Sequence, residues 1–490
     1  MKNAVPSGIE GLDDILHGGW PAERMYLVIG QPGTGKTTLG LQFLLDGCRR
    51  GESVLYISLS ETWDEVVHVA RSHGWDLTGV AAYELTAAEK ALGLADQQTM
   101  FDPSEVEFRE TTRSILERIQ SLRPRRVVFD SLSELALLAR EPLAFRREIL
   151  LLKRALIDHG ATVLFLSDST TPEADLQLQS LAHGVVVLEE LAPEYGPERR
   201  RLRVRKLRGT KFRGGYHDFR IETGGVHVFP RLVASEHGEP ISGEPLRSGL
   251  EALDALTGGG LRPGSSTLIL GPAGSGKSSI ASQYALGALR AGDRAAIFSF
   301  DESTDMLLRR TSGVGQPLAE HLASGALLVR QVDPAEMTPG EFVHAVRQAV
   351  EQHGARYVSI DSLNGYIYAM PQERFLHLHV HELLSYLSQK GVVTTLLLAQ
   401  HGVVGTMNTP VDVTYVADAV MVLRLFEARG RMRRAVSMLK KRDGMHESTI
   451  RELKIRPGAL HIGEALDDFQ GVFTGVPSIS GSHDALPGAR

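Results

Sequence analysis

The sequence predicts an α/β protein made of two tandem domains, each with a mostly parallel central sheet. Three observations point there. First, one series of motifs occurs twice in the same order. Ser7 to Gly19 reads SGIEGLDDILHGG, and Ser248 to Gly259 reads SGLEALDALTGG. Glycine-rich segments follow, GQPGTGKT over Gly30–Thr37 and GPAGSGKS over Gly271–Ser278, 241 residues apart. Acidic clusters recur at Glu61 and at Asp301–Glu302, runs ending in Asp-Ser recur at Asp130–Ser131 and Asp361–Ser362, and basic segments recur at Lys206–Arg208 and Lys440–Arg442. Matched features at one long period mark a duplicated domain. Second, short continuous β-branched runs alternate with longer amphipathic ones, as in a sheet whose strands are buried on both faces. Third, each copy spans about 230 residues, an ordinary domain size.

In chain order, the strands of the first copy are Met25–Ile29, Val54–Ser58, Arg126–Phe129, Thr162–Leu166 and Gly184–Leu188. Thr37–Cys48 and Glu110–Leu122 carry apolar residues at helical spacing between them. The boundaries that follow are a first domain over 1–230, a linker over 231–246, a second domain over 247–472 and a flexible tail over 473–490. The linker holds Pro240 and Pro245 with several Gly and Ser residues and no periodicity, and the tail is equally rich in Gly, Ser and Pro.

Each glycine-rich segment has the pattern Gly-x4-Gly-Lys-[Ser/Thr], placed between a predicted strand and a predicted helix, the context this phosphate-binding motif needs. Gly33, Thr34, Gly35 and Thr38 in one copy, and Gly274, Ser275, Gly276 and Ser279 in the other, bring backbone N–H groups onto phosphate oxygens, and the helix N-terminus favours negative charge. Lys36 and Lys277 neutralise the β/γ-phosphates, and Thr37 and Ser278 are Mg²⁺ ligands. ATP and Mg²⁺ are the cofactors this pattern implies. Asp130 and Asp361 end their strands at the carboxyl edge where open α/β sheets bind ligands; they read as the carboxylates that orient Mg²⁺, against a helix-capping alternative.

Glu61 and Glu302, just past the second strand of each copy, stand where a carboxylate orients or deprotonates the attacking water. A solvated loop carboxylate is the competing reading. Ser60 precedes Glu61 but Asp301 precedes Glu302, so the second site is expected to hold two carboxylates and the stronger base.

The basic segments alternate as strands: Leu202, Val204, Lys206 and Arg208 share one face, as do Val436, Met438, Lys440 and Arg442. Three readings stand side by side: cations reaching the ATP of an adjacent subunit, a solvated basic hairpin, and a nucleic-acid patch. The further arginines Arg199, Arg200, Arg203, Arg431, Arg433 and Arg434 read as solubilising.

The chain carries 53 Lys+Arg against 59 Asp+Glu over 490 residues, a formal charge of −6. Mild acidity argues against a bulk nucleic-acid binder. A single cysteine, Cys48, excludes an internal disulfide and fits a reducing cytosol. No run approaches the roughly 20 apolar residues of a membrane span, and no signal-like segment opens the chain; a cytoplasmic protein is expected. His377, His379 and His381 lie on a predicted helix that splits them between faces, so they do not read as a metal site.

Together these residues identify a resemblance to the KaiC family of double-domain RecA-like ATPases. It covers nearly everything from Val5 to about Gly475. Its most specific parts are Ser7–Asp13 (SGIEGLD), both phosphate loops, Ala70–Asp76 (ARSHGWD), Lys206–Thr210 (KLRGT) and Glu427–Gly430 (EARG). The resemblance implies two RecA-like P-loop NTPase domains in a homohexamer of stacked rings, with ATP at the subunit interfaces. It implies slow ATP hydrolysis in the first domain, and autophosphorylation and dephosphorylation in the second. It places Lys206, Arg208, Lys440 and Arg442 on the ATP of the adjacent protomer. The family's paired catalytic glutamates fall on Ser60 and Glu61 and on Asp301 and Glu302. Its Ser-Thr phospho-acceptor pair falls on Thr414 and Tyr415, so Thr414 is the candidate acceptor. A KaiB-like or other signalling protein is the partner implied, whereas the short chain after Asp467 argues against a KaiA-type regulator docking there. Three functions follow: an ATP-hydrolysing switch with Ser/Thr autokinase activity, a nucleotide-dependent binding module without it, and a RecA-type DNA motor suggested by Gln400–His401 at a strand end.

Overall fold

The computed structural model describes residues 4–84, 103–138, 142–168, 178–193, 196–233, 243–369, 373–400, 415–428, 430–474 and 478–479. The chain divides into two compact units, Met1–Arg231 and Leu232–Arg490. Ser478–Ile479, inside the stretch read as a tail, pairs antiparallel with Phe469–Gln470.

Each unit is built on a nine-stranded sheet. In the first, the strand that enters the phosphate loop, Met25–Gly30, lies at the centre between Thr162–Asp168 and Gly184–Leu191, both parallel to it. Arg126–Asp130, Val54–Ser58 and Ala81–Glu84 extend one side in parallel. Arg199–Leu207, His217–Glu222 and Gly225–Phe229 extend the other as an antiparallel meander. The second unit repeats this order around Ser266–Gly271, with Val393–Ala399, Ala355–Asp361, Arg294–Ser299 and Leu327–Gln331 on one side and Ala419–Ala428, Arg431–Lys441, Arg451–Arg456 and Ala459–Ala465 on the other.

The central strands are buried on both faces, as continuous runs such as MYLVIG and STLILG require. The helix after the first phosphate loop, Lys36–Arg49, buries Leu39, Leu41, Phe43 and Leu44 against one face of the first sheet. Each such side chain contributes about 1.5–3 kcal/mol. Ile115, Ile119, Ile149 and Leu152, from Pro103–Leu122 and Pro142–Asp158, cover the opposite face. Helices on both faces of a mainly parallel sheet are what force the loops at its carboxyl edge to carry the site.

The copies differ in how they close their cores. Arg126, fully buried, donates to Asp46 at 3.0 Å, to Glu52 at 2.5 Å and to the carbonyls of Pro6 and Phe43. At the matching register the second unit has Tyr357, whose hydroxyl donates to the Ala281 carbonyl at 2.7 Å and lies 2.7 Å from the Thr395 hydroxyl. A buried ion network in one copy is replaced by a neutral phenol in the other.

Candidate functional site

The two phosphate loops fold alike. Gly33 and Gly274 have φ of 85° and 75°, and a Cβ at either would meet nothing within 4 Å, so each loop presents an open concave backbone. Gly35 and Gly276 cap the helices Lys36–Arg49 and Lys277–Arg290 in the left-handed conformation, where side chains are strained. A Cβ at Gly35 would also lie 2.5 Å from Ile221, so the loop can pack on the meander only as glycine.

Each loop lysine curls back onto its own loop. Lys36 Nζ donates to the Gly30 and Gln31 carbonyls at 2.8 and 3.0 Å, and Lys277 Nζ to the Gly271 and Pro272 carbonyls, both at 2.9 Å. Lys36 has a third partner that Lys277 lacks: the Asp168 carboxylate at 2.8 Å. Asp168 ends its strand beside Gly30, and the residue beside Gly271 is Ala399. Burial lowers the pKa of Lys277, with Asp361 and Asp301 opposing.

The metal-type oxygens also come together. Thr37 Oγ1 donates to Asp130 Oδ2 at 2.6 Å, and that oxygen also accepts from the Tyr56 hydroxyl at 2.7 Å. Burial and the Asp130 charge push the Tyr56 phenol well above its usual range. Ser278 makes the equivalent bond to Asp361, whose pKa burial raises while Ser278, Arg310 and Lys277 pull it down. A hydroxyl and a carboxylate are hard oxygen donors of the kind Mg²⁺ takes, so the residues present fit that ion. Tyr56 has no counterpart in the second copy, where Ile297 stands in its strand.

Glu61 and Glu302 sit one residue before helix N-caps. Thr62 and Glu65 form a capping box at the start of Trp63–Ser72, and Ser303 caps Thr304–Gly313. Here the expectation of a stronger base in the second copy fails against geometry. Glu61 is exposed beside Asp130 and Glu65, and its pKa is raised by partial burial, then by Asp130, then by Glu65. Glu302 is gripped by Arg310: Nε reaches both carboxylate oxygens at 3.1 Å and Nη2 reaches one at 3.0 Å. Asp301 is also engaged, accepting from the Ser362 hydroxyl at 2.7 Å. The extra carboxylate thus brings bound partners, not a freer base.

The basic strands run antiparallel, and that decides where their cations go. Lys206 pairs with Val185, and the Arg208 N–H donates to the His183 carbonyl, level with Met25 at the start of the central strand. Arg208 is therefore about five residues, roughly 17 Å, from the Gly30 end of that strand. Lys440 and Arg442 occupy the same level in the second copy. A bulge precedes both lysines, shifting the register between Val185 and Val186 and between Val420 and Met421. Lys206 donates to the Gln179 and Ala182 carbonyls and Arg208 to Ser180. Lys440 donates to Ala417 and Arg442 to Tyr415. None of these hydrogen bonds goes to the residue's own phosphate loop. Burial, then the neighbouring arginine, lowers the pKa of Lys206 and of Lys440.

One residue set aside as solubilising touches a loop: Arg434 Nε donates to the Gly274 carbonyl at 2.9 Å. Arg433 instead binds Glu452, and Arg200 binds Glu190. Asp168, Arg310 and Arg434 were the residues that sequence reasoning missed. A tally of where one copy has a charge and the other does not could have flagged Asp168 and Arg310, but not Arg434, whose register position in the first copy holds Arg200. Thr414, His377 and His401 lie outside the described side chains; among the described residues no group of three or more His, Cys, Asp or Glu could hold a metal. No helix among them is long and apolar enough to cross a membrane.

A family profile described as "ATPase: KaiC" matches residues 5–233 and 246–467. "Circadian clock oscillator protein KaiC" of Prochlorococcus marinus (strain MIT 9313) is 28% identical over 482 residues, 96% of this chain and 95% of the relative. The protein of the same name from Synechococcus elongatus is 28% identical over 479 residues, 96% and 91% of the two chains. With two phosphate loops in two RecA-like domains and a profile spanning both, the chain belongs to the KaiC family of ATPases.

Proposed function

We propose that the chain is an ATP-driven homohexameric switch in which each nucleotide lies between neighbouring subunits. One observation carries this. Lys206, Arg208, Lys440 and Arg442 stand at the opposite end of their sheets from their own loops, which supports reading them as cations that complete a site on another copy. In this reading the backbone of Gly33–Thr38 and of Gly274–Ser279 holds the phosphates. Thr37 with Asp130, and Ser278 with Asp361, would hold Mg²⁺, which neutralises charge on the β- and γ-phosphate oxygens. Lys36 exchanges Asp168 for phosphate oxygen when nucleotide enters. Glu61 accepts the proton of the attacking water, and its raised pKa suits it to that work near neutral pH. The neighbour's Lys206 and Arg208 meet the charge that develops as the γ-phosphoryl group leaves.

In the second copy, Arg442 holds the carbonyl of Tyr415, the residue after Thr414. We take Thr414 as the phospho-acceptor on that ground and on its spacing from Lys440 under the family resemblance. The relatives named as clock oscillator proteins suggest the output: ring state read by a signalling partner in a timing or regulatory circuit. Native mass spectrometry in Mg·ATP tests the whole reading at once. Six chains, twelve nucleotides and a mass gain of one phosphate on Thr414 are expected. A monomer that still turns over ATP would end the shared-site reading, and an unmodified hexamer would end the autokinase reading alone.

A further inference from the structure

The second site contains a cation with no counterpart in the first. Arg310, two turns into the helix Thr304–Gly313, places Nε and Nη2 on both oxygens of Glu302. Both partners are mostly covered, at 26% and 23% exposure, so solvent screens the pair only in part. The remaining guanidinium nitrogen of Arg310, Nη1, is buried with no hydrogen-bond partner among the described residues. Burying an unmet N–H is costly, so fold stability alone accounts poorly for this placement. At the same helical position the first copy has Val69, 241 residues earlier, and among the described residues no guanidinium sits on Glu61.

We propose that Arg310 is a latch that holds the Glu302 carboxylate out of water activation, making the second site a slower ATPase than the first and a longer-lived holder of ATP. This rests on the reading of Glu61 and Glu302 as the bases of their sites. The hydrolytic step itself is ordinary: the water oxygen bonds the γ-phosphorus, the bond to the β–γ bridging oxygen breaks, ADP leaves, and the water's proton passes to the glutamate. A carboxylate whose two oxygens already share the Nε–H and Nη2–H donors of one guanidinium is poorly placed to accept that proton or orient that water. Opening the fork, by subunit closure or by competition from phosphate oxygens for the guanidinium, frees the base. Arg310 is thus a positioning residue that acts through Glu302.

The test uses the full-length chain carrying Glu61→Gln, which silences the first site's base while leaving its nucleotide in place. Arg310→Val, the first copy's residue, is added to it. The expected result is a rise of about tenfold in the second site's kcat with little change in KM, together with a pH–rate profile that moves toward that of the first site. Adding Glu302→Gln must abolish the rise. Arg310→Lys, which keeps the charge but loses the fork, serves if the valine variant unfolds, and should give a smaller rise. A kcat that stays level or falls in a folded variant, or a rise that survives Glu302→Gln, overturns the latch. Undiminished total turnover in Glu61→Gln alone would instead overturn the assignment of the first site's base, so the two failures are distinguishable.

Discussion

The two copies share a backbone plan and differ in where they place charge around it. In the first, the loop lysine is tied down by Asp168 and the glutamate is free; in the second, the lysine meets only carbonyls and the glutamate is tied down by Arg310. On the roles proposed for these residues, each copy restrains one half of the chemistry, binding in the first and bond-breaking in the second. The lesson is that a duplicated fold can place different charges at matched positions, Asp168 against Ala399 and Val69 against Arg310, while loops and strands stay the same.

The largest effect tests the shared plan. Lys36→Ala and Lys277→Ala should each weaken nucleotide binding at their own copy by roughly 10- to 100-fold, the worth of a charge-assisted hydrogen bond to phosphate. Bound nucleotide per chain is the measurement. Lys36→Ala chains and Lys206→Ala/Arg208→Ala chains should each lose first-site turnover, and mixing the two should restore part of it. Only a mixed ring contains sites that combine an intact loop with an intact neighbour. A mixture no more active than its components would break the trans assignment.

A smaller effect separates the copies. Asp168→Ala removes the carboxylate that competes with phosphate for Lys36, and should tighten ATP binding at the first site by about 3- to 10-fold, in line with a partly exposed ion pair. Ala399→Asp should weaken the second site in the same sense. Equilibrium titration with a fluorescent ATP analogue reads both.

The smallest effect concerns pH. The Glu61 pKa is raised, so first-site hydrolysis should fall as pH drops through a value above that of an ordinary carboxylate. For folding the sign is the opposite: a carboxylate that is harder to ionise in the folded chain favours folding at low pH, and that advantage is lost as pH rises through its folded pKa. Glu65→Gln removes one of the charges that raise it, so the ascending limb of the pH–rate profile should move to lower pH. An unmoved limb would mean that Glu61 is not the titrating base.

Much of this was readable beforehand because it follows from short-range pattern. The buried strand runs, the helix after the first phosphate loop and both phosphate loops appear in the structure within a few residues of where their pattern places them, since burial on two faces and a glycine-permitted turn leave few alternatives; the helix expected over Glu110–Leu122 begins seven residues earlier, at Pro103. The cations of the basic strands were recognisable as a pair, but their distance from their own loops was not. That distance depends on antiparallel register and on a bulge, and alternation along one strand contains neither.

The amino-acid sequence by itself determined the duplication, the class of fold and the chemistry of the loops, because these depend on residue type and local spacing. The tertiary structure alone decided which charges meet. Asp168 and Lys36 are 132 residues apart, and Arg310 meets Glu302 because its side chain reaches back eight residues along its own capped helix, one of several partners its spacing allows. Electrostatic pairing depends on distances of a few ångströms across separate elements, and no reading of one element at a time contains them.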